Sequence, residues 1–233
     1  MRIAALYDVH GNLPALEGVL ADLDRDPPDA IVCGGDVLWG PLQSECLELL
    51  RGRGARFVRG NCERMVASPG DERDEWCAAQ LDDEQLAFAA GLPLTLVLDD
   101  VLFCHASPRS DEEILTSATP DSAVSESLAG VAQRLVVVGH THSQLDRRLG
   151  AVRLVNAGSV GLPYEGRPGA FWALVEDGAV EHRRTEYEVD EALRRLSPAG
   201  FPGFDRTFPP ALAGMVTAAE AAADFERQAG RGA

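Results

Sequence analysis

Seven side chains able to hold a cation are spaced through this chain: Asp8 and His10, Asp36, Asn61, His105, and His140 and His142. Four of the five histidines and one of the three asparagines fall in this set, so it is not a random sample of polar residues. Imidazole, carboxylate and amide donors together suit manganese, iron, zinc, nickel or cobalt better than calcium. The His140/His142 and Asp8/His10 pairs each have one residue between them. In extended chain, residues two apart point to the same side, so each pair is expected to face one way and grip one ion or two adjacent ions. Asp36 has two carboxylate oxygens and can offer one to each of two cations. Two divalent ions about 3.5–4 Å apart are a known arrangement for hydrolysing phosphate esters.

The elements that must position these groups follow a repeating plan. An apolar run at 2–7 reads as a strand, and 12–25 as a helix with Asn12 as N-cap and Pro14 in its first turn. A second strand spans 29–36, a helix 44–54 and a third strand 55–63. This strand–helix alternation predicts βαβ units and a parallel sheet. Each strand runs into glycine and then a polar group, and ligands in open α/β sheets bind beyond the carboxyl ends of the strands. The seven residues are therefore expected to converge. Hairpins are predicted around Asp99–Asp100 and Asp177–Gly178, strands at 134–142 and 152–161, and a terminal helix in "AAEAAADFERQAG". Strand-rich sequence in the second half predicts a second sheet packed on the first.

Composition narrows the function. The formal net charge of −16 over 233 residues opposes general nucleic-acid binding and anionic membrane surfaces. A phosphate-bearing partner then needs a local positive feature, and bound metal ions supply one. All 21 basic residues are arginine, which excludes a lysine phosphate loop and Schiff-base chemistry. The five cysteines, an odd number with no CxxC and no apolar leader, predict free thiols in a cytoplasmic protein. Ser159 in "NAGSVG" does not fit the G-x-S-x-G nucleophile pattern. His182 reads as a surface residue of a hairpin strand.

The ordered motifs "DVH", "GGD", "GNCE", "CHAS" and "GHTH" resemble those of the calcineurin-like metallophosphoesterase superfamily. The closing "VNAGSVGLP" is similar to its small bacterial phosphodiesterase branch, and the resemblance covers roughly residues 1–187. It implies a four-layer αββα sandwich of two mixed sheets flanked by helices. It implies two divalent transition-metal ions, manganese favoured: one on Asp8, His10 and His142, the other on Asn61, His105 and His140, with Asp36 bridging. Asp36, Asn61 and Cys62 would then stand at the reacting phosphate. The expected reaction is attack of activated water on a small phosphodiester or nucleotide, with no covalent enzyme intermediate. A serine/threonine-type protein phosphatase and a non-catalytic metal-binding scaffold are the alternatives. Completeness of the seven ligand positions favours an enzyme.

Cys62 stands where many members of the superfamily have histidine, and a thiol is a poorer phosphate donor that cations can turn into thiolate. Arg109, four residues after His105, is read as a phosphate clamp, with Arg59 and Arg64 as weaker candidates. Residues 1–187 are expected to form the phosphoesterase domain. Within it, 64–90 reads as a helical insertion serving as a lid or a dimer contact, which leaves homo-oligomerisation open. Residues 188–233 form an extension packed on or trailing that domain.

Overall fold

A computed structural model describes residues 1–231. In chain order its first half holds β1 (Arg2–Leu6), α1 (Leu13–Arg25), β2 (Ala30–Cys33), α2 (Gln43–Gly52), β3 (Arg56–Phe57), α3 (Asn61–Ala67), α4 (Glu72–Ala79), α5 (Asp83–Gly91), β4 (Thr95–Leu98) and β5 (Val101–Cys104). There follow α6 (Asp121–Ser127), β6 (Leu135–Val138), β7 (Leu145–Leu149), β8 (Val152–Asn156), β9 (Ala170–Glu176) and β10 (Ala179–Thr185), then α7 (Val189–Leu196), α8 (Phe204–Leu212) and α9 (Ala218–Gln228).

Two five-stranded mixed sheets result, in the orders β10-β9-β1-β2-β3 and β4-β5-β6-β8-β7. Strands β1, β2 and β3 run parallel, as the βαβ pattern requires, and β9 joins β1 antiparallel. Both faces of the central strands are apolar, and the period-two alternation of side chains divides them between layers. Ala4 and Leu6 of β1 face α1 and α2, whereas Ile3, Ala5 and the following Tyr7 enter the space between the sheets. In β6, Leu135 and Val137 meet them there, while Val136 and Val138 turn outward to pack with Val124 of α6. Helices, sheet, sheet and helices thus form the expected αββα sandwich. Tyr7 is fully buried in the middle layer and donates its hydroxyl to the Val137 carbonyl across the two sheets, 2.8 Å away.

Local chemistry sets the ends of these elements. Asn12 caps α1 by accepting from the Ala15 amide, with Pro14 inside the first turn. Both hairpins turn where the sequence reading puts them, with Asp99, Asp100 and Asp177 at positive φ. Strand β7 and helices α6, α7 and α8 are additions to that reading. The edge strand β7, "LDRRL", carries too little apolar alternation to stand out. Helix α8 contains Pro209 and Pro210, ordinarily helix breakers; burial of Phe204, Phe208, Ala211 and Leu212 on one face offsets the two lost backbone hydrogen bonds. Among the described residues no helix is long and apolar enough to cross a membrane.

Candidate metal centre

The two sheets deliver the seven ligand candidates to one place. Asp8 and His10 follow β1, Asp36 follows β2 and Asn61 opens α3, all from the first sheet. His105 follows β5, and His140 and His142 follow β6, from the second. The convergence is as expected, but the local geometry differs from the extended chain expected for the paired residues. Asp8 (φ 52°), His10 (φ 48°), Asp36 (φ 57°), His140 (φ 64°) and His142 (φ 56°) all lie in the left-handed region. Among the described residues only three other non-glycine residues do so, all in hairpin turns. Such backbone is disfavoured for residues with a Cβ and persists where surrounding contacts impose it, commonly at functional sites. Here the loops are stitched together, Asp8 N–H to the Gly35 carbonyl (3.1 Å) and His10 N–H to the Asp36 carbonyl (2.9 Å). One consequence is that His140 and His142 diverge. His142 turns to Asp8 and His10, and His140 to His105 and Asp36.

Hydrogen bonding fixes the ring orientations. Nδ1 of His10, His105 and His142 lies 3.2, 2.9 and 2.7 Å from the carbonyls of Trp39, Gly34 and Leu162. A carbonyl only accepts, so each Nδ1 carries the proton and each Nε2 turns inward, the arrangement metal-binding histidines use. Nε2 of His10 and Nε2 of His142 are then only 3.1 Å apart. Asp8 Oδ1 lies 3.4 Å from His142 Nε2, 3.8 Å from His105 Nε2 and 3.9 Å from His10 Nε2. That oxygen is buried and has no hydrogen-bond partner among the described residues. Asp36 Oδ2 lies 3.5 Å from His105 Nε2 and 3.8 Å from His10 Nε2, and Asn61 Oδ1 is 3.2 Å from His105 Nε2. Acceptors packed this closely, one of them orphaned, fit cations shared among them. The donor atoms form overlapping clusters, Asp8–His10–His142 and Asp36–His105–His140, with Cys62 beside His10 and Asp36 in a third.

The electrostatics agree. Burial, reinforced by His142, pulls His10 down to about 4, and burial with His105 does the same to His140. Burial also works against a charged His105, but Asp36 and Asp8 outweigh it and push the ring up to about 10. Burial raises Asp36 and Asp8, yet the imidazoles beside them win and hold both carboxyls below their ordinary value. The two carboxylates thus draw positive charge into the pocket.

Around these groups stand Glu63, which the sequence reading passed over, and Ser159 and Cys62, which it named. Glu63, the last letter of "GNCE", is buried, and its carboxylate accepts from four backbone amides: Asp36 and Gly60 on one oxygen, Val37 and Leu38 on the other, at 2.8–3.1 Å. It shapes the loop that presents Asp36. Ser159 donates to the Asp8 carbonyl and accepts from the Leu162 amide, so it is a loop fastener. Cys62 donates its thiol to Asp36 Oδ2 at 3.0 Å and its amide to Oδ1 at 2.9 Å. Burial, then Asp36 and Glu63, push this thiol well above its usual value, so the pocket itself favours the thiol over the thiolate allowed by the sequence reading.

The three arginine candidates are engaged elsewhere. Arg109 pairs with Glu113 (2.6 Å) and Glu126 (3.4 Å) and is not on the lining of the cavity over the metal centre. Arg59 and Arg64 both bind Asp111. Abundant acids in this chain capture most exposed guanidinium groups, so sequence proximity to a ligand is a weak guide. His182 is half-buried, with Nε2 2.9 Å from the Asn156 carbonyl, and is not a free surface residue.

A cavity of about 800 Å³ opens above the metal centre. Trp39 meets His10 edge-on (centroids 5.5 Å), Tyr164 stacks on His142 (4.7 Å), and Phe225 of α9 stands 6.1 Å from His140. Residues of α8 and α9 supply one wall, a role the tail's sequence does not announce.

Comparison with known proteins agrees with this geometry. Residues 1–177 match the calcineurin-like phosphoesterase superfamily domain. A metallophosphoesterase from Sphaerobacter thermophilus superposes with a TM-score of 0.79 at 29% identity, over 92% of this chain and 100% of that one. The uncharacterized protein MJ0912 of Methanocaldococcus jannaschii is 29% identical over 83% of this chain and 91% of its own length. Phosphodiesterase YfcE of Escherichia coli is 27% identical over 76% of this chain and 89% of its own length.

Proposed function

This chain belongs to the calcineurin-like phosphoesterase superfamily, and on that premise we propose that it is a dinuclear metal-dependent phosphoesterase hydrolysing small phosphodiesters or nucleotides. The observation that carries the reading is the inward set of lone pairs: His10 and His142 Nε2 at 3.1 Å, beside the unpartnered Asp8 Oδ1. In this reading Asp8, His10 and His142 would hold one ion and Asn61, His105 and His140 the other, with Asp36 shared between them. The pair, manganese by preference, would activate water near neutral pH and neutralise charge on the phosphoryl oxygens.

The chain's own part is positional. Backbone carbonyls of Trp39, Gly34 and Leu162 aim the imidazoles, and Glu63 and Cys62 hold Asp36. Trp39, Tyr164 and Phe225 wall the cavity with apolar surface that limits bulk water. In the reaction water's oxygen bonds to phosphorus, the P–O bond to the leaving alcohol breaks, and the leaving oxygen takes up a proton. With the neutral Cys62 thiol at the position where many relatives have histidine, diesters with good leaving groups are the favoured substrates. All five cysteines are unpaired and buried, which supports a cytoplasmic setting.

The test is hydrolysis of bis-p-nitrophenyl phosphate with added Mn²⁺, run beside Asp36→Asn. Turnover by the wild type with a loss of at least about 100-fold in the variant is the expected result. An inactive wild type that still binds metal points to a scaffold instead, and phosphopeptide turnover exceeding diester turnover points to a protein phosphatase.

A further inference from the structure

The cavity over the metal centre continues past its own lining. A second hollow of about 690 Å³ adjoins it, and the two share Asp71, Arg73, Arg206 and Thr207. Arg73 belongs to α4 and Arg206 to α8, so the insertion and the tail meet at this junction. Among the described residues neither arginine has a carboxylate partner, although most arginines here are paired. In a chain of net charge −16, two unpaired guanidinium groups on one lining need an explanation.

Among the described residues no acid on either lining, Glu72 included, comes within 4.0 Å of the two guanidinium groups, and three of these acids bind other groups. Asp71 accepts from the Arg73 and Asp74 amides as the cap of α4. Glu220 closes the capping box of α9 with Thr217. Asp224 binds Arg227 and Gln228, which also occupies the third arginine of the cavity. The Arg73 guanidinium lies 5.7 Å from the Trp39 ring centroid, so its position is defined from one side by the aromatic wall. Guanidinium forks recognise phosphoryl oxygens in bidentate fashion.

We propose that Arg73 and Arg206 form a distal phosphate subsite, and that the substrate is a short nucleotide bearing a second phosphoryl group beyond the scissile one. The inference rests on the phosphoesterase reading and specifies its substrate class. The scissile phosphate sits at the metal centre, a nucleoside lies against Tyr164 and Phe225, and its terminal phosphate reaches the two arginines. A volume of about 800 Å³ lies in the upper part of the range for small-ligand sites, roughly 300–1,000 Å³, and suits two nucleoside units. The acidic exterior opposes longer strands, so the fit is to a dinucleotide.

The test compares the dinucleotides pApA and ApA, which share the scissile linkage and differ by the 5′-phosphate. The wild type is expected to show kcat/KM for pApA at least about tenfold above that for ApA, the value of one good charge-assisted phosphate contact. In Arg73→Ala/Arg206→Ala that ratio falls toward one, and each single variant lies between. Both side chains are exposed, and circular dichroism checks that the variants fold. Equal rates on the two dinucleotides, no turnover of either, or a ratio unmoved in the double variant overturns the subsite. If the wild type also fails on bis-p-nitrophenyl phosphate, the phosphoesterase reading falls with it. Turnover there, with no preference for pApA, removes the subsite alone.

Discussion

Gly60 and Glu63 show how little freedom the metal centre leaves to single residues. A Cβ at Gly60 would sit 2.1 Å from Asp36 Oδ1 and 2.6 Å from the Asp36 amide nitrogen, and neither is a flexible chain end. Gly60→Ala is therefore expected to displace Asp36 and abolish Mn²⁺ binding measured by isothermal titration calorimetry. Wild-type-like binding would show that the loop can yield. Glu63→Gln replaces one accepting oxygen by an amide NH₂, so one of the two pairs of backbone N–H groups loses its acceptor. A loss of about 2–4 kcal/mol in urea denaturation follows from leaving buried donors unmet. A loss under about 1 kcal/mol would mean the loop is set by other contacts. Both positions lie inside the short motif "GNCE", in which only the asparagine and the cysteine announce chemistry.

At the scale of elements, α9 is a wall of the cavity whose position depends on a buried anchor. It is pinned through Glu226, which accepts from Thr116 (2.8 Å), from Thr119 and from Arg231 (2.6 Å). Arg231 is the main cause that lowers the Glu226 carboxyl to about 2 from its ordinary 4.5. A carboxyl depressed in the folded state stabilises it above about pH 4.5, and that contribution is lost as the pH falls toward 2. Near the surface the ion pair's share is discounted to about 1 kcal/mol. Wild type and Glu226→Gln are thus expected to differ in thermal stability at pH 7, the difference shrinking below about pH 4.5 and closing only as the pH falls through about 2. A difference that persists at low pH would assign the effect to packing of α9 instead. Phe225 precedes this anchor, so the pin also sets how closely the aromatic wall approaches His140.

For the whole molecule, the metal centre joins the two sheets. Asp8, His10, Asp36 and Asn61 come from one, and His105, His140 and His142 from the other. Ions bound across that boundary stabilise the native state by mass action, about 2.7 kcal/mol at a hundredfold excess over Kd. For a chain of 233 residues this is a rise in Tm of about 5–10 °C. Calorimetric scans with Mn²⁺ and with a chelator should show that interval, and Asp36→Asn should narrow it. A Tm indifferent to metal would mean the sheets are held together only by the apolar layer around Tyr7 and Phe103.

What the sequence determined by itself was the chemistry and its placement along the chain. Strand ends in a βαβ pattern lie at one sheet edge by topology, so the convergence of Asp8, Asp36 and Asn61 follows from local apolar runs and glycines. The capped first helix and both aspartate turns follow from residue chemistry acting over a few positions. Tertiary structure alone decided the left-handed backbone at five of the ligand candidates, because contacts between loops overcome a local preference there. It decided that His140 and His142 diverge, that Arg109 is held by Glu113 and Glu126, and that Glu63 and Ser159 support the metal centre. It also decided that α4, α8 and α9 enclose the cavity and leave Arg73 and Arg206 without a carboxylate partner among the described residues. Those outcomes depend on which distant side chains compete for a partner, and that competition is settled only when the chain packs.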